Sequence, residues 1–347
     1  MTVLRAARAV LLFLFALTIG AAIHAQGELT PVKVVVSKLL GNSGTYLADA
    51  VGHFAEQGID VEFVTVSSTN DAEALALLLQ GNIDVLQAGL TPGLFNAVTR
   101  GETLRMVAVS SYNKPDHCAY NAFMVAPGQA EGFDVESLRG ASVAVPNGSA
   151  QYYLDTYLQQ HGMTLTDVII ENIPSSARPE ALSNGSVALA WMNEPAIAQA
   201  IQLYGLDILV GSPEIVPNAS QGVLLFGPSM LNREDDLAIR YLVAYLQGSR
   251  QFNEGPTEQT LELLSTALEV EPDLLASTCW IAMRDNGEMA TETVMDYQNW
   301  LNEQDLLDAI VPVEDIYDPS FVRAAAARLD GEVASEMAPE ATPESGG

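Results

Sequence analysis

The sequence predicts an α/β protein of two doubly wound lobes with a ligand cleft between them and a C-terminal helical layer. Three observations carry that expectation. One piece of architecture is written twice, as EALALLLQGNIDVLQAGLTPG from Glu73 to Gly93 and as EALSNGSVALAWMNEPAIAQA from Glu180 to Ala200. Strand-like and helix-like patterns alternate through the first two thirds, the rhythm of a parallel sheet wrapped by helices. Beyond Pro228 the pattern becomes amphipathic helix alone.

Each copy of the repeat has the end of a helix and a glycine that stops it, Gly81 or Gly185. A short apolar strand, a polar mouth and a helix-opening proline follow, Pro92 or Pro195. A second pair lies upstream. Strand VKVVVS, a Gly/Ser loop, a helix ending in QGIDVEF and a second strand are echoed by ASVAVP, NGS, a helix ending in QHGM, and DVIIEN. Repetition on this scale puts one lobe design on each side of a cleft.

In order, strands are expected near Val32 to Ser37, Asp60 to Val66, Ile83 to Gln87 and Leu104 to Ser110, with helices beginning near Gly44, Asn70 and Thr91. A strand from Tyr120 to Ala126 leads into the second lobe, and strand QGVLLFG from Gln221 to Gly227 returns the chain to the first. Helices are then expected over Leu231 to Phe252, Thr257 to Leu268, Asp273 to Met283, Ala290 to Asn302 and Pro319 to Leu329, as a layer on the first lobe. The expected division is 31–113 for the first part of lobe 1, 114–215 for lobe 2, and 216–330 for the return strand and helices. Residues 331–347 have no apolar periodicity and are expected to be a disordered tail.

Composition bounds the destination and the partners. Arg5 and Arg8 precede the apolar run AVLLFLFALTIGAA, and Ile23, His24 and Ala25 offer a small-residue cleavage site. Residues 1–25 therefore have the form of a secretory signal peptide, too short in its apolar run for the about 20 residues of a spanning helix. No cysteine follows the cleavage site, so a periplasmic or extracellular protein without a lipid anchor is expected. The net charge is −29 over 347 residues, which argues against nucleic acid and anionic membranes as partners. Cys118 and Cys279 are the whole cysteine complement. Export permits a disulfide, spacing alone leaves the pairing open, and two thiolates cannot build a zinc site.

In open α/β sheets ligands bind beyond the carboxyl ends of the strands, where helix N-termini present free amides. That rule selects Lys38, Asn42, Ser43, Gly44, Thr45 and Tyr46 after the first strand, Ser68 in SSTN, Gly89 and Thr91, and Tyr112. In the second lobe it selects Asn147, Gly148, Ser149 and Tyr152, then Arg178, then Trp191, Asn193 and Glu194. For any one loop, Ser, Asn and Gly serve equally as helix caps; their convergence on one cleft is what suggests a site. Trp191 could stack a planar ligand and Glu194 accept its N–H groups, or they could pack a core and complement a helix dipole.

Enzyme signatures do not appear. GNSGT near Gly41 lacks the lysine and spacing of a phosphate loop, and no G-x-S-x-G or H-E-x-x-H occurs. His53 and His161 lie at expected helix ends, where the dipole accounts for them. No catalytic residue, metal or cofactor is expected.

TYLADAVGHFAEQGIDVEFV, LLQGNIDVLQAG, SLRGASVAVPNGSAQYYLDTYL and LSNGSVALAWMNEP resemble, in order and spacing, the periplasmic substrate-binding proteins of ABC importers. The likeness is to the branch that covers nitrate, sulfonate, taurine and thiamine-pyrimidine binders, and it runs from about Val32 to Gly227. It implies a type II periplasmic-binding-protein fold, a monomer whose lobes close over a small-molecule solute and deliver it to the transmembrane subunits of a permease. In the family the ligand is held by the loops matching Asn42 to Thr45, Gly89 to Thr91, Asn147 to Ser149 and Trp191 to Glu194. Two departures bear on the ligand: Ala188 stands where the second repeat usually has an acid, which the first keeps as Asp84, and Asn193 intrudes before Glu194. A planar nitrogenous or aromatic solute such as a pyrimidine is the expected ligand, with a sulfonate- or nitrate-type oxyanion as the alternative. A secreted sensor and a pyrimidine-synthesis-like enzyme on the same fold are the readings from other classes.

Overall fold

A computed structural model of the chain describes residues 28–66 and 71–336. The expected signal segment, Ser68 and residues 337–347 of the expected tail lie outside the described residues.

The first sheet is built from β1 (Thr30–Val36), β2 (Ile59–Phe63), β3 (Val85–Ala88), β4 (Arg105–Tyr112) and β10 (Ser220–Phe226), in the order β2-β1-β3-β10-β4. The second contains β5 (Asn121–Val125), β6 (Ser142–Ala144), β7 (Ile169–Glu171), β8 (Leu189–Asn193) and β9 (Asp207–Gly211), in the order β7-β6-β8-β5-β9. The two sheets have one design, since β6, β7 and β8 repeat the parallel pairing of β1, β2 and β3.

Both sheets are mixed, a parallel set of strands of the kind the strand–helix rhythm predicts with antiparallel strands added. β10 runs antiparallel to β3 and β4, and β5 antiparallel to β8 and β9. The reason is topological. A chain leaving β4 at its carboxyl end arrives at the matching end of the other sheet, and must run away from the cleft once it enters. The crossings are residues 113–120 outward and 212–219 back.

Helices α1 (Ser43–Val51), α2 (Asp71–Leu79) and α3 (Pro92–Thr99) follow the strands of the first lobe, and α4 (Ser149–Gln160), α5 (Arg178–Ser183) and α6 (Ala196–Tyr204) those of the second. Gly52 closes α1 at φ 98°, a left-handed conformation open to glycine and costly for most other residues. One apolar cluster is continuous from Val35 and Leu86 of the first sheet to Phe123 and Leu189 of the second. The opposite face of the first sheet, with Val34 and Leu224, packs against Tyr241 and Tyr245.

Those tyrosines belong to α7 (Leu237–Phe252), which is followed by α8 (Glu258–Leu268), α9 (Pro272–Ser277), α10 (Thr291–Glu303) and α11 (Ser320–Glu336). Four details differ from the sequence expectation. The helix expected from Leu231 is broken by the polar stretch to Asp236, where Asp235 Oδ1 accepts the Leu237 N–H. α9 stops at Ser277, and residues 278–283 form an irregular strap bridged to Tyr112. α11 continues through Gly331 to Glu336, because one glycine costs a helix only about 1 kcal/mol and good helix formers follow it. α10, finally, is not confined to the first lobe: Tyr297 lies 6.4 Å from Phe95 of α3 and 5.2 Å from Tyr152 of α4, ring centroid to ring centroid.

Candidate functional site

Between the lobes lies a cleft of about 270 Å³. Its first wall is the turn after β3, where Gly89, Leu90 and Thr91 lead into Pro92 at the start of α3. Facing it, Asn147 and Gly148 lead into Ser149 at the start of α4. Gly148 sits at φ 91°, which a Cβ would strain, and this turn puts the N-terminus of α4 on the cleft wall. Two helix N-termini from different lobes thus converge, each with partial positive charge.

The third wall is aromatic. Tyr152 and Tyr153 of α4 and Tyr297 and Thr293 of α10 line it, with Trp300 stacked behind Tyr297 at 6.1 Å. Burial pushes the Tyr152 hydroxyl up to about 12, with Asp296 adding to the rise, and burial pushes Tyr297 up to about 12 as well. Both phenols remain neutral hydrogen-bond donors at physiological pH. The Tyr297 hydroxyl is buried and finds no hydrogen-bond partner among the described residues, and neither does Ser220 Oγ, which lines the cleft with Ala219 and Gln221.

Below lies a polar network on the crossing segments. Asn113 Nδ2 donates to Tyr153 Oη at 3.0 Å and to the Ser212 and Val216 carbonyls. Its Oδ1 accepts from Ser212 Oγ and Gln221 Nε2, both at 2.9 Å. Gln221 Nε2 also reaches Tyr153 Oη at 2.6 Å, and Asn121 donates to Gln221 Oε1 at 2.6 Å. The place where the chain changes lobe is therefore bonded directly to two residues of the cleft wall.

Of the sequence-predicted residues, Gly89, Thr91, Asn147, Gly148, Ser149 and Tyr152 come together in this cleft. The others, apart from Ser68, which lies outside the described residues, do not line it. Lys38 is exposed and paired with Glu269. Asn42 donates to the Ser37 carbonyl at 3.0 Å, Thr45 to Gln87 Oε1 at 2.7 Å and Tyr46 to the Val36 carbonyl at 3.2 Å. Ser43 and Gly44 are buried, with Ser249 and Met283 against Gly44. Tyr112 lies beneath the Arg284 guanidinium at 4.1 Å. Arg178 is buried and donates to the Ile173 and Trp191 carbonyls, both at 2.9 Å.

Trp191 is buried, stacked on Tyr153 at 5.1 Å and in an edge contact with Phe123 at 4.8 Å, which makes it a core residue. Glu194 accepts the Cys279 N–H at 2.9 Å and the Ala198 N–H at 3.1 Å, and Asn193 is exposed at the strand end. Burial raises the Glu194 carboxyl above its ordinary value, and those two N–H groups oppose the rise. The strap accounts for much of this. It supplies Cys279 to Glu194 and Met283 to Gly44, and so covers the loops nearest it.

Tyr153, Ala219, Ser220, Gln221, Thr293 and Tyr297 enter the cleft without having been singled out in the sequence as site residues, while Leu90 and Pro92 come with the Gly89–Thr91 loop. Ser220 and Gln221 had a usable signal, because the return crossing must pass the cleft. Thr293 and Tyr297 had only their i, i+4 spacing, which any amphipathic helix shows. Among the described residues no group of acids, histidines and cysteines is arranged to hold a metal, and no helix is long and apolar enough to cross a membrane.

The fold is shared with solved structures. The aliphatic sulphonate-binding protein SsuA from Escherichia coli superposes with a TM-score of 0.65 at 19% identity, over 82% of this chain and 96% of that one. The nitrate-binding protein NrtA from Synechocystis PCC 6803 gives 0.66 at 15% identity, over 90% and 92%. A mutant of DSZB in complex with biphenyl-2-sulfinic acid gives 0.63 at 11% identity, over 86% and 100%. At these identities the likeness establishes a common fold. No curated protein sequence matches the chain. The family profile described as NMT1/THI5 like matches residues 41–259, and with the two-lobed architecture this shows that the chain belongs to the NMT1/THI5-like family.

Proposed function

We propose that this protein is the extracytoplasmic solute-binding component of an ABC importer, and that its solute is a small planar ring carrying oxygen acceptors, of the pyrimidine kind. One observation carries the reading: the cleft joins helix N-termini from both lobes to an aromatic wall, and no charged side chain is among its described lining residues. A ring stacked on Tyr152 or Tyr297 would direct its oxygens to the amides of α4 and to the Tyr297 and Ser220 hydroxyls. Such a ligand touches both lobes at once, and that differential contact is what favours a closed form over an open one.

The converging helix dipoles favour a second reading, an aromatic or aliphatic sulfonate held without a guanidinium. SsuA and NrtA, which share the fold, are described as binding sulphonate and nitrate. A binding role is preferred to an enzymatic one because the reactive side chains are engaged elsewhere. Both cysteines form a disulfide, while His53, His117 and His161 contact Glu56, the Trp280 carbonyl and the Tyr157 carbonyl. Delivery to a permease, secretion and a monomeric state belong to the same proposal.

Thermal-shift titration of the mature protein with pyrimidines, aryl sulfonates, alkyl sulfonates and nitrate tests this. A ligand at a hundred times its Kd adds about 2.7 kcal/mol, several degrees in Tm. Pyrimidines shifting Tm supports the first reading, and a shift by sulfonates alone supports the second. A flat response to all four classes overturns solute binding of either kind.

A further inference from the structure

The strap, residues 278–283, touches both lobes at the edge of the molecule where the Gly41–Thr45 loop approaches Glu194. On the second-lobe side the Cys279 N–H is held by Glu194 Oε1 at 2.9 Å. On the first-lobe side Ile281 and Met283 are buried with Leu40 and Leu47, and Ala282 pairs with Tyr112. Tyr120 sits between the two loops. Its carbonyl accepts the Glu194 N–H at 2.9 Å, and its side chain is buried in one cluster with Leu40, Leu47, Ile281 and Met283. A disulfide from Cys279 to Cys118 then fastens the strap to the outward crossing, where His117 also contacts the Trp280 carbonyl at 2.8 Å.

We propose that this strap, pinned by Cys118–Cys279, seals one half of the interlobe cleft and clamps the two lobes together there, confining the ligand to the tyrosine-lined half. It would act as a specificity-determining element, because it takes the Asn42–Thr45 and Glu194 loops out of reach of solute and limits how large a solute fits. Confinement of the ligand presupposes the solute-binding reading; sealing of the two loops does not, and it can be measured with no ligand present.

Amide hydrogen exchange on the full mature protein, before and after reduction by a water-soluble phosphine, is the test. Cys118 is exposed, so the reagent has access. The expected result is at least a tenfold faster exchange in residues 41–46 and 192–195 together on reduction. Glu194→Ala, with the disulfide intact, is expected to raise exchange in the same two segments by a smaller factor. Acceleration confined to residues 278–283, or none at either loop, overturns the proposal. If reduction unfolds the chain, protection is lost in β1 and β6 as well, and the Glu194→Ala variant alone then decides by the same two segments. A ligand screen that fails while these segments respond rejects the transport reading and leaves the clamp standing.

Discussion

Trp300 Nε1 donates a hydrogen bond of 2.9 Å to Asp155 Oδ2 in a buried setting, joining the C-terminal helix α10 to α4 of the second lobe. Asp155 accepts also from Gln159 at 3.0 Å. One turn earlier on α10, Tyr297 faces Tyr152 across the cleft wall, so the Trp300–Asp155 bond sets the depth at which that wall stands. Trp300→Phe keeps one aromatic ring but removes the donor together with part of the indole's buried volume. The expected cost is about 1–3 kcal/mol, the range for a buried polar group that loses one of its hydrogen bonds. Urea unfolding followed by circular dichroism measures it. Asp155→Asn retains an acceptor oxygen and should cost less; the reverse order would show that packing, not this bond, holds α10.

The duplicated lobe was legible because its punctuation is local. Gly81 and Gly185 take φ of 69° and 76° at equivalent helix ends, and that requirement is visible in the residue type. The mouth loops at Gly89–Thr91 and Asn147–Ser149 follow from the same rhythm, since they continue strands that can be located. Trp191 shows the limit. Its placement depends on which face of β8 it takes, and alternation gives it to the core with Phe123 while Met192 faces the other way. The strap and the reach of α10 depend on contacts over 85 and 145 residues of sequence, Cys279 to Glu194 and Trp300 to Asp155. No local pattern encodes pairings at that range.

Asn113 is the most connected polar side chain of the crossing, with three acceptors sharing its Nδ2 hydrogens and two donors on its Oδ1, and it is 2% exposed. Asn113→Ala leaves the Ser212 and Val216 carbonyls short of a partner in a buried site. A loss of about 3 kcal/mol is expected from the denaturant midpoint, at an unchanged m value. Asn121→Ala removes one bond to Gln221 and should cost about 1 kcal/mol. Equal effects from both would mean that the crossing tolerates the loss of Asn113 by admitting water.

Alkaline pH should unfold the protein late and cooperatively. Burial pushes Tyr46 and Tyr297 up to about 12, and Tyr120 and Tyr152 also to about 12 by burial first and then by Glu194 and Asp296. A raised native value means that the folded state keeps protons which the unfolded chain releases from about pH 10 upward. The stabilisation is therefore complete below about pH 10 and is lost between about 10 and 12. Phenolate absorbance and circular dichroism, recorded on one titration, should change together near the upper end of that window. Ionisation of these tyrosines near pH 10 with the dichroism intact would show that they are open to solvent.

Tyr297 and Ser220 separate stability from function. Each has a buried hydroxyl without a hydrogen-bond partner among the described residues, and such a group costs stability, because it has given up water and gained nothing. Tyr297→Phe and Ser220→Ala should therefore leave Tm unchanged or raise it slightly, against the usual destabilising trend of core substitutions. If these hydroxyls meet the solute's oxygens, the same variants lose one neutral hydrogen bond each, about 0.5–1.5 kcal/mol or roughly two- to twelvefold in Kd. Titration calorimetry with the ligand found by thermal shift, beside a melting curve of the free protein, reads both. Higher Tm with weaker binding places the hydroxyls in the ligand's shell. A fall in Tm with Kd unchanged would make them ordinary packing residues and move the ligand elsewhere in the cleft.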